Sequence, residues 1–188
     1  MSERRMNSNK TIHKALFLDR DGVINADYNY VHKISNFDFI DGIFELVRAA
    51  NKKSYKVFVV TNQAGIGRGY YTEQEFLELT KCIEEKFAEE NCEITKTYYS
   101  PNHPEHGIGE YKKECPDRKP NPGMILRAKA EFDLNLNDSI LIGDRETDIQ
   151  AAQNAGIRQK ILFNQQNSEI TTIADLVIKD LHEAIELL

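Results

Sequence analysis

Three things are scarce in this 188-residue chain: cysteine, long apolar runs and surplus positive charge. The cysteines are Cys82, Cys92 and Cys115. An odd, sparse set makes no disulfide framework and suits a reducing cytoplasm, which is the expected location. No apolar run approaches the roughly 20 residues that span a bilayer, so no membrane partner is expected. The formal net charge is −6. That balance argues against a nucleic-acid partner held by nonspecific attraction, and leaves room for a local basic patch that grips phosphate. The opening MSERRMNSNKTIHK lacks the apolar core of a secretory signal. Residues 1–14 read as a flexible polar leader, and residues 15–188 as one domain, expected to be a monomer. That length suffices for a single substantial core.

Strand-like and helix-like segments alternate along the chain. Apolar runs at Ala15–Leu18, Lys56–Val60, Ile94–Tyr99, Ser139–Gly143, Lys160–Phe163 and Asp175–Ile178 read as strands. Helices are expected at Phe44–Ala50, Glu73–Glu90, Pro122–Phe132 and Glu146–Ala155, with a last one running to Leu188. In the second of these, Phe76, Leu79, Ile83 and Phe87 fall at helical spacing. Gly156 is placed to end the fourth in a left-handed conformation. This order predicts an α/β fold, a mainly parallel sheet with helices on both faces. Ligands in such sheets bind beyond the carboxyl ends of the strands. Asp19, Thr61 and Asp144 each fall at such an end.

Four segments carry candidate chemistry. FLDRDGVIN (Phe17–Asn25) sets Asp19 and Asp21 two residues apart after an apolar strand. Two buried carboxylates disfavour each other unless a countercharge joins them, and magnesium, a hard oxygen-seeking cation, supplies one. Asp19 could then attack phosphorus while Asp21 protonates the leaving oxygen and later deprotonates water. Taken alone, D-x-D-G is more often a turn with two solvated aspartates. VVTNQ (Val59–Gln63) offers the Thr61 hydroxyl to a phosphoryl oxygen and Asn62 to orient the nucleophile, or is ordinary strand-end turn chemistry. DRKPNPG (Asp117–Gly123) offers Lys119 to neutralise a phosphoryl group and Arg118 to fork onto substrate oxygens, or is a solvated loop pair. LIGDRETD (Leu141–Asp148) offers Asp144 as a metal ligand, while Asp148 is placed to complement a helix dipole.

In this order the four segments resemble the haloacid dehalogenase (HAD) superfamily of phosphatases, over roughly residues 15–156. Together with DYNYVH (Asp27–His32), FDFIDG (Phe37–Gly42), TNQAGIGRGYYT (Thr61–Thr72) and RKPNPGM (Arg118–Met124), they resemble its histidinol-phosphate and heptose-bisphosphate phosphatases. The resemblance implies a single Rossmann-like domain without a large cap. It implies a Mg²⁺-dependent phosphomonoesterase for a small phosphorylated sugar, with the 7-phosphate of a heptose 1,7-bisphosphate as the nearest substrate, in surface-glycan biosynthesis. Asp19 is then nucleophile and Asp21 general acid/base. Thr61 and Lys119 stabilise the phosphoryl group, and Asp19, Asp21 (through its carbonyl) and Asp144 hold the metal. Substrate contacts fall on Asp27, Tyr28, Asn29, Tyr30, Asn62, Gln63, Ala64, Arg118 and Arg145. Arg68 and Arg145 add cations that suit a second phosphate.

The resemblance also implies a structural zinc held by three cysteines and one histidine ahead of the RKP triplet. Here Ser100, Asn102 and Asp117 occupy three of the four ligand positions, and only Cys115 remains. Structural zinc prefers four nitrogen or sulfur ligands, so none is expected; a rebuilt site would draw on Cys115, His103, His106 and Asp117. His13, His32 and His182 have no spacing partner and are assigned no chemistry. Competing readings are a histidinol-phosphate phosphatase and a catalytically silent phosphate-binding module. A polynucleotide 3′-phosphatase is disfavoured by the missing basic stripe.

Overall fold

The computed structural model describes residues 12–165 and 171–188. Its centre is a six-stranded, all-parallel sheet: β1 (Lys14–Leu18), β2 (Tyr55–Asn62), β3 (Lys96–Ser100), β4 (Ile140–Gly143), β5 (Gln159–Phe163) and β6 (Leu176–Ile178), in the order β3-β2-β1-β4-β5-β6. Among the described residues six α-helices connect and cover it: α1 (Ile43–Lys52), α2 (Ala64–Gly67), α3 (Glu73–Glu89), α4 (Gly123–Phe132), α5 (Glu146–Ala155) and α6 (Leu181–Ile185).

The period-two alternation of each strand sorts its side chains to two faces. Leu16 and Leu18 of β1, Val57 and Val59 of β2 and Ile140 and Ile142 of β4 enter one core. That core also takes Ile43, Leu46, Val47 and Ala50 of α1 and Leu79, Ile83 and Phe87 of α3. The intervening residues Ala15, Phe17, Phe58, Val60 and Leu141 enter a second core with α4 and α5. Phe58 is fully buried there, stacked on Phe17 at 5.4 Å and tilted against Phe132 at 5.1 Å. A sheet buried on both faces explains why its strands read as near-continuous apolar runs.

Local signals set the helix ends. Thr72 caps α3: its hydroxyl accepts from the Glu75 amide at 3.1 Å, and the Glu75 carboxylate accepts from the Thr72 amide at 2.7 Å. Gly156 ends α5 at φ 82°, as anticipated. The element boundaries differ from expectation by a few residues. β3 begins at Lys96 rather than Ile94 and runs through Ser100, so the long loop starts at Pro101. The last helix stops at Ile185. A single 3-10 turn at Ile34–Asn36 precedes α1.

Lys14, read as leader, already belongs to β1, and the His13 carbonyl accepts from Asn135 at 2.7 Å. The rest of the leader, residues 1–11, lies outside the described residues. Among those described, no helix is long and apolar enough to cross a membrane.

The strand order reverses beside β1, which pairs with β2 on one side and β4 on the other. Leu18 is level with Ile142 and Val59, so the next residues of three strands emerge together at one rim. That is the topological switch point of an open α/β sheet, where the crevice for a ligand forms.

Candidate active site

Asp19 follows β1 directly, its amide donating to the Ile142 carbonyl at 3.1 Å. Its Oδ1 takes the Arg20 amide at 2.7 Å and the Lys119 ammonium at 2.8 Å. Lys119 arrives from the loop before α4 and is almost fully buried. Its ammonium touches three acceptors: Asp19, Asp148 Oδ1 at 2.7 Å and the Val60 carbonyl at 2.8 Å. Burial pulls this ammonium down, but Asp148 and Asp19 outweigh it and hold it above its ordinary value. Asn62 fixes the same loop by closing on the Lys119 main chain. Its Oδ1 accepts the Lys119 amide at 3.0 Å, and its Nδ2 donates to the Lys119 carbonyl at 3.1 Å.

Asp144 follows β4 and faces the same point. Asp19, Asp144 and Asp148 bring one carboxylate oxygen each within 4.8 Å of one another. Gly22, at φ 92°, is what lets Asp144 in, because a Cβ there would collide with its carboxylate. Asp144 Oδ1 is buried without a hydrogen-bond partner. Burial, opposed by Lys119 and reinforced by Asp148 and Asp144, pushes Asp19 up to about 8. Burial and Asp148, opposed by Arg145, push Asp144 up to about 6. Three carboxylates facing one ammonium leave a negative surplus, and an orphaned carboxylate oxygen points into it. Such an all-oxygen, anionic set fits a hard divalent cation.

Asp21 sits just outside this cluster. Buried Arg20 holds it by two guanidinium nitrogens, at 2.8 and 3.1 Å. Asn25 Nδ2 and Gln63 Nε2 each donate to it at 3.1 Å. Gln63 also donates to the Thr61 hydroxyl at 2.9 Å and accepts from Tyr71 at 2.5 Å. The Tyr71 donor fixes which end of the amide faces Asp21. Thr61 is thereby oriented at the end of β2, almost wholly buried.

A cavity of about 460 Å³ opens over these groups. Its walls bring together Asp19, Asp21, Thr61 and Lys119 with Asp27, Asn29, Tyr30, Asn62, Gln63, Ala64, Arg118 and Arg145. Arg145 crosses the mouth to Asp27 at 2.6 Å. Arg118 donates to the Asn102 carbonyl at 3.1 Å. Tyr28, expected at the substrate, is not part of the wall; it is exposed and donates to Asp38 at 2.8 Å. Asn29 and Tyr30 follow it in left-handed backbone (φ 60° and 58°), and that turn separates Tyr28 from the pocket.

Asp148 was underread from sequence. Its Oδ2 does cap α5 by accepting the Arg145 amide at 3.0 Å, but its Oδ1 reaches Lys119. The available signal was spacing: Asp148 lies four residues after Asp144, back on the side facing β4. Arg20, Tyr71, Arg68 and His103 were also given no part in the catalytic set. An arginine between two aspartates at a buried strand end was the legible clue for the first.

No three of Cys115, His103, His106 and Asp117 gather within ligand range among the described residues. Asp117 pairs with Arg127 at 2.6 Å, and Asn121 donates to the Cys115 carbonyl at 3.0 Å. His103 Nδ1 accepts the amides of Glu105 and His106 at 3.2 and 3.1 Å. Hydrogen bonds thus tie the loop at each of these positions.

A strand-end aspartate pair with a buried lysine and a third acid on the neighbouring strand defines a phosphoryl-transfer class of site. A family model described as HAD-hydrolase-like matches residues 117–184. D-glycero-alpha-D-manno-heptose-1,7-bisphosphate 7-phosphatase of Burkholderia mallei is 51% identical, with 93% of each chain covered. D-glycero-beta-D-manno-heptose-1,7-bisphosphate 7-phosphatase of Vibrio cholerae is 42% identical, over 88% of this chain and 92% of that one. Among solved structures, D,D-heptose 1,7-bisphosphate phosphatase from B. bronchiseptica, complexed with magnesium and phosphate, superposes with a TM-score of 0.77. It is 25% identical, with 93% of this chain and 97% of that one covered. The chain belongs to the HAD-like hydrolases and, within them, to the heptose-1,7-bisphosphate 7-phosphatase family.

Proposed function

We propose that the chain hydrolyses the 7-phosphate of D-glycero-D-manno-heptose 1,7-bisphosphate. Asp19 is the nucleophile, Asp21 the general acid/base, and Thr61 and Lys119 the phosphoryl stabilisers. The observation that carries this reading is the Asp19–Lys119–Asp148 cluster at the rim of β1, facing Asp144 and opening into a cavity of sugar size.

Asp19 Oδ1 is tied to Lys119 and the Arg20 amide, so the carboxylate is held at a fixed angle. One of its oxygens forms the bond to phosphorus while the bond to the sugar oxygen breaks. A proton from Asp21 goes to that oxygen. In the second step Asp21 takes a proton from water, whose oxygen attacks the aspartyl-phosphate and frees inorganic phosphate and Asp19. Lys119 and the Thr61 hydroxyl offset charge on the phosphoryl oxygens in both steps. Mg²⁺ fits at Asp19, Asp144 and the Asp21 carbonyl, and when bound it supplies neutralisation of the phosphoryl charge. The α anomer is the preferred substrate, supported by the higher identity to the relative named for it. On this reading the enzyme is a cytoplasmic monomer serving nucleotide-activated heptose synthesis for surface glycans.

The test is a rate comparison, with and without Mg²⁺, on both heptose bisphosphate anomers and on histidinol phosphate. Mg²⁺-dependent turnover is expected with α-heptose bisphosphate preferred. A preference for histidinol phosphate would overturn the substrate, and absence of turnover on any phosphate ester would overturn the enzyme reading.

A further inference from the structure

Two hydrogens of the proposed reaction must face the substrate: the acid proton of Asp21 and the hydroxyl hydrogen of Thr61. Three side chains donate to Asp21, and two of them can do nothing else. Arg20 has no acceptor atom, so it faces Asp21 as a donor in every protonation state. Asn25 is locked too, because its Nδ2 also donates to the Ala26 carbonyl at 2.9 Å, and a carbonyl can only accept. Gln63 is different. Its Nε2 donates to Asp21 at 3.1 Å and to the Thr61 hydroxyl at 2.9 Å. A hydroxyl donates as readily as it accepts, and a protonated carboxyl gains a donor. Reversed by half a turn, the amide would draw the Thr61 hydrogen and the Asp21 proton onto its own oxygen, and both would be lost to the substrate.

Tyr71 opposes that reversal. Its hydroxyl donates to Gln63 Oε1 at 2.5 Å. Against a reversed amide it would accept from Nε2, and its own hydrogen would be stranded. Among the described residues no second acceptor bonds to this hydroxyl, and Tyr71 is buried. An unmet buried donor is costly. The ring is seated for this task. His32 stacks on it, with centroids 5.0 Å apart and planes 6° from parallel, and His32 Nδ1 lies 2.9 Å from the Tyr30 carbonyl. Gly65 makes room in α2, since a Cβ there would collide with the Tyr71 ring. Burial above all pushes the phenol up to about 12, so it keeps its hydrogen at neutral pH.

We infer that Tyr71 is a positioning residue that sets the direction of a hydrogen-bond chain running through Gln63 to Thr61 and Asp21, so that the Thr61 hydrogen and the Asp21 proton both face the cavity. This rests on the reading of Asp21 as general acid/base. With Oε1 held on the Tyr71 side, Gln63 offers only N–H to its other two neighbours. The Thr61 oxygen is filled as an acceptor, and its hydrogen is left for a phosphoryl oxygen in the cavity that Thr61 lines. The proton of Asp21 finds no acceptor at Gln63. It passes to the leaving oxygen, which keeps the electron pair of its broken bond to phosphorus. Tyr71 itself exchanges no proton.

The experiment measures kcat/KM with Mg²⁺ for the wild type, Tyr71→Phe, Gln63→Met and the double variant. The substrates are heptose 1,7-bisphosphate and the phenyl, p-nitrophenyl and 2,4-dinitrophenyl phosphates. This parameter covers steps up to departure of the leaving group, so hydrolysis of the aspartyl-phosphate does not enter. Tyr71→Phe keeps the ring and removes only the donor. On the sugar and on phenyl phosphate, whose leaving groups need a proton, it is expected to lose about 10- to 100-fold, part of the roughly 10²- to 10⁴-fold that a positioned acid contributes. On 2,4-dinitrophenyl phosphate, which departs as an anion, the loss is expected to stay below about fivefold, the share of one hydrogen bond from Thr61. In the Gln63→Met background, Tyr71→Phe is expected to add less than about twofold, because the chain is already cut. A loss equal across the aryl series would overturn the inference. So would a loss that persists in full without Gln63, which would make Tyr71 a direct substrate contact. Should Tyr71→Phe fail to fold, Gln63→Met carries the aryl comparison with the same expected and contradicting results. Heptose bisphosphate left intact by the wild type would overturn the sugar reading, while the aryl series still decides on the chain.

Discussion

The two ends of the cavity are built on opposite principles. At the sheet rim, Asp19, Lys119 and Asp148 are buried, emerge from or abut strands, and are joined by contacts of 2.7–2.8 Å. At the loop end, Arg68, Arg118, Asn29 and Tyr30 sit on connections, and Arg68 Nε is left without a partner. The rim fixes a reaction geometry that few side-chain changes can survive. The loops offer charge and shape that can be altered without disturbing the sheet. On the proposed reading, the difference teaches where each property resides: the reaction type in strand ends, the substrate in loops.

The strongest way to break that comparison is Asp19→Asn. An amide cannot form the acyl-phosphate, so turnover is expected to fall about 10⁴-fold or more, with the melting temperature retained or raised because an acid whose ionisation burial disfavours is gone. Activity within tenfold of wild type would mean that the rim does not house the nucleophile. Lys119→Met is next. Removing the lone cation from a buried set that includes Asp19 and Asp148 is expected to cost about 3–5 kcal/mol of stability, read by denaturant unfolding without metal. A substitution on the loop end, such as Arg118→Ala, is expected to leave the unfolding midpoint nearly in place.

Most of the rim was legible because Asp19 and Asp144 each end an apolar run. Strand periodicity located Asp19, Thr61 and Asp144, and parallel topology brought their strands side by side at the switch point. Asp148 was not legible in the same way, because its link to Lys119 depends on how α5 packs against β4 and on a loop that returns from a distant part of the chain. The loop end was read only coarsely. Which of four consecutive residues, Asp27 to Tyr30, face the pocket depends on left-handed backbone at Asn29 and Tyr30, and Tyr28 turns out to serve Asp38. Arg68 was noticed as a spare cation, whereas its unmet Nε is a property of packing.

A pH experiment sharpens the contrast. In the folded, metal-free protein the pKa values of Asp19 and Asp144 lie at about 8 and about 6, raised from 3.8. A raised acid binds its proton more tightly when folded. The stability that this proton secures is therefore present at low pH and lost as pH rises from about 4 towards about 8. Mg²⁺ competes for the same deprotonated oxygens, so the rise in melting temperature that it causes is expected to grow between pH 5 and pH 8. Asp144→Asn should flatten both trends; a Mg²⁺ shift that is constant across this range would contradict the cluster as the metal site. The smallest effect lies outside the cavity. Thr72→Ala removes the capping hydroxyl of α3 and is expected to cost about 1 kcal/mol in thermal unfolding, with kcat/KM unaltered.

The most direct examination of covalent chemistry at Asp19 is acid quenching of the working enzyme with heptose bisphosphate and Mg²⁺, followed by mass spectrometry of its peptides. The expected result is one added phosphoryl group on the peptide carrying Asp19, enriched when Asp21→Asn slows its hydrolysis. Turnover with no phosphorylated peptide in either protein, or with the label on a peptide that lacks Asp19, would contradict it.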